Sequence, residues 1–144
     1  MHYKPKNFEL YELYPRHFYE TWQHRADLLW QLWDDRVLYT LQALRERYGK
    51  MRMNDWRWGG LNQYKGMRPI DCPVGAELSQ HKFLRAADPT PGDISAEQIR
   101  KDILADPWHK DFQYITCLEI NVDWLHFDTR NWNKSKYGIL KISP

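Results

Sequence analysis

Two imidazoles and one carboxylate in this sequence form a set that could hold a metal ion. His81 and Asp88 lie seven residues apart in "SQHKFLRAAD", and His126 lies in "DWLHFDT". Two imidazoles and a carboxylate are a three-ligand set of the kind catalytic zinc uses, with the fourth position left for water. Zinc lowers the pKa of such a water to about 7 and polarises a carbonyl. The chemistry then needs a separate carboxylate as general base. Asp123, three residues before His126, is the nearest candidate. Spacing alone leaves a plainer reading open, in which His81 caps a loop, Asp88 starts the turn before Pro89, and His126 sits half-buried in a sheet.

The elements around these residues must bring them together. At about 3.3 Å per residue, an extended chain from His81 to Asp88 would span roughly 23 Å, so that segment has to bend. Upstream, "RADLLWQLWDDRVLYTLQALRERYG" reads as one amphipathic helix, with Leu28, Leu29, Leu32, Trp33, Leu41 and Leu44 at three-to-four spacing and Gly49 as its stop. "KMRMN" reads as a short strand and "DWRWGGLNQYKGMRPIDCPVGAEL" as a long loop, the kind that often carries function. After the turn "DPTPGD", "SAEQIRKDILADP" reads as a second helix, with Ser95 and Gln98 as a capping box and Pro107 ending it. Three strands are expected in "YITCLEI", "DWLHFDT" and "YGILKIS". In the middle one Trp124, His126 and Asp128 alternate with Leu125 and Phe127. Residues 1–25 read as an aromatic, irregular N-terminal extension. The expectation is one α+β domain over residues 1–144, with N-terminal helices packed on a mainly antiparallel sheet.

Composition narrows the function classes. Hydrophobic residues make up 42% and aromatics 15% of the chain, enough for a core. A net charge of only +2 argues against a dedicated nucleic-acid binder, although "DWRWGGLNQYKGMR" interleaves basic and aromatic residues. Cys72 and Cys117 fit no zinc-finger spacing and are expected as free thiols. No secretory signal and no membrane span are read. Trp56, Trp58, Trp124 and Trp132 could line a groove for sugar or peptide stems, or simply pack as large core residues. His109, in "DPWHKD", reads as a solvated helix-end histidine.

"SQHKFLRAAD" followed by "WLHFD" resembles the zinc D-Ala-D-Ala carboxypeptidase and L-alanyl-D-glutamate peptidase family, which has the hedgehog/DD-peptidase fold. The family pattern runs Ser-x-His, two residues, Gly-x-Ala-x-Asp, and later a hydrophobic pair, His, one residue and often Asp. Ser79, His81, Ala86, Asp88 and His126 match it in order. "GMRP" is similar to the family's Gly-x-Arg segment, and "NDWRWGG" and "LQALRERYG" fit small phage-encoded members. The resemblance covers the chain from about residue 28. One position departs: Leu84 stands where the family has Gly.

The resemblance implies that His81, Asp88 and His126 hold Zn²⁺, with Asp123 as catalytic base and Glu119 as the alternative. It implies that Arg68 contacts the substrate peptide, for which its planar fork is suited. Ser79 and Asp128 become candidate partners of the ligand side chains. The implied activity is hydrolysis of a peptide bond in the peptidoglycan stem, by a protein made in the cytoplasm and acting on the cell wall or carried in a phage particle, with virion or lysis-system partners. The alternative is a non-catalytic phage structural or binding module that keeps the peptidase fold.

Overall fold

The computed structural model describes residues 3–144. It is a mixed α+β architecture in which helices pack on two small sheets. The N-terminal stretch is not the irregular extension expected from its sequence. It forms α1 (Leu10–Leu13) and α2 (Arg16–Trp22), and Phe8, Leu10, Leu13 and Tyr14 are buried in the core. The Tyr14 hydroxyl donates to the Leu29 carbonyl, which satisfies its polar end inside that core.

The long helix expected over residues 25–49 is also broken. α3 (Ala26–Gln31) stops, and α4 (Asp35–Tyr48) starts afresh behind Asp34. Asp34 is an N-cap whose carboxylate accepts from the Arg36 N–H at 3.0 Å. The same carboxylate accepts from the Thr129 hydroxyl at 2.8 Å, and the Asp34 N–H donates to the Leu84 carbonyl at 3.2 Å. The break therefore ties the helix to both metal-motif segments. Val37, Leu38, Leu41 and Leu44 turn inward at helical spacing and carry α4 onto the core.

β1 (Met51–Arg52) pairs antiparallel with β3 (Thr90–Pro91). The second sheet has the order β2-β5-β4-β6, with β2 Ala86–Ala87, β4 Cys117–Glu119, β5 Phe127–Asp128 and β6 Leu140–Ile142. β5 is antiparallel to both β2 and β4, while β4 and β6 run parallel. Asp128 lies opposite Ala86 on one side and Cys117 on the other, so the two ligand-bearing segments are direct neighbours. β5 is shorter than its sequence suggests, and Leu125 through Thr129 are all buried, because a central strand is covered on both faces. α5 (Ala96–Ala105) packs Ile99 and Ile103 inward. Its cap is half of the expected box: Ser95 Oγ accepts from the Gln98 N–H, but the Gln98 side chain turns to Asp102. α6 (Lys134–Tyr137) leads into β6. Among the described residues no helix is long and apolar enough to cross a membrane. Cys72 and Cys117 are buried and unpaired, and burial pushes the Cys117 thiol up to about 12.

Candidate metal centre

The bend between His81 and Asp88 is made in three steps. Ser79 caps a 3₁₀ turn over Gln80–Phe83, its Oγ accepting from the His81 N–H at 3.3 Å. Leu84 then adopts a left-handed conformation, φ 55° and ψ 36°, and reverses the chain. The Arg85 N–H closes the reversal on the Gln80 carbonyl, and β2 delivers Asp88, whose N–H donates to the Lys65 carbonyl at 2.8 Å. Leu84 thus takes the left-handed conformation that Gly would adopt at no steric cost.

Among the described residues, His81, Asp88 and His126 form the one group of three or more potential metal ligands. His81 Nε2 lies 3.1 Å from Asp88 Oδ1 and 3.3 Å from His126 Nδ1, and His126 Nδ1 lies 2.8 Å from Asp88 Oδ1. Ligand atoms around a tetrahedral zinc, at bond lengths near 2.0–2.1 Å, stand about 3.3 Å apart, so the spacing suits a small cation.

The protonation of each ring is set by its far side. His81 Nδ1 lies 2.8 Å from the Gly66 carbonyl, which can only accept, so Nδ1 carries the hydrogen and Nε2 offers a lone pair. Gly66 is required for that approach: a Cβ there would stand 2.4 Å from the Leu13 carbonyl oxygen. The Met67 N–H donates to the same Leu13 carbonyl, and the Arg68 N–H donates to the His81 carbonyl. His126 Nε2 donates to Asp128 Oδ2 at 2.9 Å, which leaves Nδ1 for the centre. Asp128 is fully buried and bound bidentately by Arg130, Nε to Oδ1 at 2.8 Å and Nη2 to Oδ2 at 2.6 Å. Carboxylates and carbonyls behind ligand imidazoles are the usual means of fixing their orientation.

Three lone-pair atoms this close repel one another unless a proton or a cation lies among them. Burial works against a charge on His126, but its hydrogen bonds to Asp128 and Asp88 and their negative charges outweigh it and raise its pKa to about 9. Burial would likewise raise the Asp88 carboxyl, yet the charges and hydrogen bonds of His81 and His126 hold it well below the usual carboxylate range. A proton on His126 therefore occupies the place a divalent cation would take, and metal binding must displace it.

A cleft of about 280 Å³ opens on the centre, lined by Arg68, Leu78, Ser79, Glu119, His126 and Arg130 among others. Arg68 donates through Nε to the Tyr64 carbonyl at 2.9 Å and through Nη2 to Asp88 Oδ2 at 3.3 Å. It is thus both paired within the loop and presented to the cleft. Asp123 is placed elsewhere. It is exposed, in a separate depression of about 350 Å³ with Pro89, Pro91, Ile94 and Trp124. The carboxylate beside the ligands is Glu119, with Oε1 3.4 Å from His126 Nδ1. A tight loop with Asn121 at φ 61° separates β4 from β5 and turns Asp123 outward.

Sequence reasoning missed Arg130 and Gly66 as supports of the two imidazoles. The "DTR" after His126 and the Gly of "GMRP" were the available signals. The tryptophans divide: Trp56 and Trp132 donate to the Tyr14 and Gly138 carbonyls, Trp58 is exposed against Tyr11, and Trp124 meets Glu119. His109 lies apart, beside Arg47 and Asp111. Compared with family models, curated proteins and solved structures, the chain matches none of them.

Proposed function

We propose that this protein is a zinc-dependent peptidase of the hedgehog/DD-peptidase type that hydrolyses a peptide bond in the peptidoglycan stem. The observation that carries the reading is the convergence of His81 Nε2, Asp88 Oδ1 and His126 Nδ1, each imidazole held in the tautomer a metal needs, beside a cleft that also presents the Glu119 carboxylate. The donor set of two nitrogens and one oxygen suits zinc with a fourth position open. Held by His81, Asp88 and His126, zinc would lower the pKa of a water to about 7 and would polarise the scissile carbonyl.

The chain's own groups do the rest. Glu119 replaces Asp123 as the proposed base, because it alone of the two reaches the centre. Its Oε1 takes the proton of the attacking water and returns it to the leaving amine. Arg68 pairs with a peptide carbonyl or terminal carboxylate of the stem. Asp128 and Arg130 keep His126 in register through the cycle. A role in phage lysis or in a virion rests on the sequence resemblance alone.

Metal analysis of protein purified without added zinc, together with peptide release from purified peptidoglycan, tests the proposal. The expected result is one zinc per chain, release that a chelator stops, and loss of the metal in His126→Ala. Zinc-loaded protein that leaves peptidoglycan from several wall types uncut between pH 6 and 8 would instead assign the fold to a non-catalytic module.

A further inference from the structure

The loop from Glu119 to Trp124 is held by a buried cation. Arg100, on α5 and only 4% exposed, donates to the carbonyls of Glu119 at 3.3 Å, Val122 at 2.8 Å and Trp124 at 2.9 Å. Its remaining hydrogen bonds go to Glu97. A buried guanidinium is tolerated only where its donors are satisfied, and here one stretch of backbone supplies most of the acceptors. The loop's two ends are thereby fixed relative to each other. From that base the Trp124 indole N–H donates to Glu119 Oε2 at 3.0 Å, while Oε1 faces His126 Nδ1. The torsion that turns a glutamate carboxylate is broad. Fixing one oxygen is therefore what gives the other a direction. Core packing does not explain the ring, because Trp124 is 44% exposed and borders the depression that contains Asp123.

We propose that Trp124 is the positioning residue of the centre: its indole N–H aims the Glu119 carboxylate at the metal position, and Arg100 holds the loop that sets the angle. The kinetic consequence rests on the peptidase reading; the placement of Glu119 does not.

The test uses the full chain loaded with cobalt(II), with ¹³C in the glutamate carboxyl groups. In wild type the Glu119 carboxyl carries a large paramagnetic shift, measured against the zinc-loaded protein. In Trp124→Phe, which keeps an aromatic ring and removes the N–H, metal stoichiometry stays the same and that shift collapses. On a stem peptide, Trp124→Phe lowers kcat about tenfold to a hundredfold with KM within about twofold, and Trp124→His, which restores a ring N–H, recovers part of the loss. A Glu119 shift unchanged in Trp124→Phe overturns the proposal, as does a raised KM with kcat intact. If wild type cuts no peptide, the peptidase reading fails and the cobalt shift alone decides the placement. If wild type takes up no cobalt, both fall.

Discussion

The two imidazoles of the centre are held by different means. His81 is fixed by backbone: its Nδ1–H meets the Gly66 carbonyl, and the strand of chain behind it rests on Leu13. His126 is fixed by a relay of side chains, Asp128 and then Arg130. A carbonyl orients a ring without adding a full charge to its surroundings. A carboxylate both orients the ring and stabilises its charged form, and against the opposing effect of burial Asp128 and Asp88 raise His126 to about 9. One half of the centre is therefore rigid and coupled to the fold. The other is electrostatic and rests on the charge of Asp128, which is buried and paired with Arg130.

The sharpest way to break this contrast is to attack each support in turn. In Gly66→Ala the new methyl meets the Leu13 backbone at 2.4 Å, and neither chain segment can yield as a side chain would. The expected outcome is a stability loss near the upper end of overpacking penalties, about 3 kcal/mol, with metal binding lost alongside it. Asp128→Asn should act differently. It keeps the shape, leaves the fold largely standing, and lowers metal affinity by about 10–100-fold, the usual effect of removing a group behind a ligand histidine. Urea unfolding and competitive zinc titration on both variants check the pair. Equal effects on stability and affinity from the two substitutions would erase the distinction.

The electrostatic half also predicts a pH signature. The folded pKa of His126 lies above its ordinary value of 6.5. Its contribution to metal-free stability is therefore fully present below pH 6.5 and is lost as pH rises through about 9. Denaturant midpoints of the chelated protein should fall across that window. With zinc bound, Nδ1 no longer carries the proton and the fall should vanish. A chelated protein equally stable at pH 6.5 and 9 would show that Asp128 and Asp88 do not hold a proton on the ring.

The same division explains what could be read from the sequence. His81, Asp88 and His126 were legible because short local patterns carry them, and Asp128 because residues two apart on a strand share a face. The base was not. Choosing Glu119 over Asp123 depends on a left-handed Asn121 and on Arg100 reaching across from α5, neither of which periodicity encodes. The helix break was hidden for a related reason. The break rests on Asp34, whose carboxylate caps α4 and also accepts from the Thr129 hydroxyl 95 residues away. Leu10, Leu13 and Tyr14 were passed over because helices of four and seven residues are too short to show a period.

Leu84 offers the smallest effect and the finest test of the backbone half. It occupies the left-handed region, where an L side chain costs about 1–2 kcal/mol. Glycine there relieves that strain but adds about 0.5–1 kcal/mol of unfolded-chain entropy. It also forfeits the packing of a half-buried side chain against the core, worth roughly 1 kcal/mol by its share of full burial. These terms nearly cancel, so Leu84→Gly should sit within about 1 kcal/mol of wild type. Leu84→Ala loses the same packing and keeps the strain, so it should be the less stable of the two, the reverse of their order in a helix interior. Zinc stoichiometry should be unchanged in both. The backbone bonds of the bend, from the Leu84 N–H to the His81 carbonyl and from the Asp34 N–H to the Leu84 carbonyl, need no side chain. Paired urea titrations decide the order. Alanine more stable than glycine would mean that the bend carries no left-handed strain, and that His81 owes its placement to Ser79 and Gly66 alone.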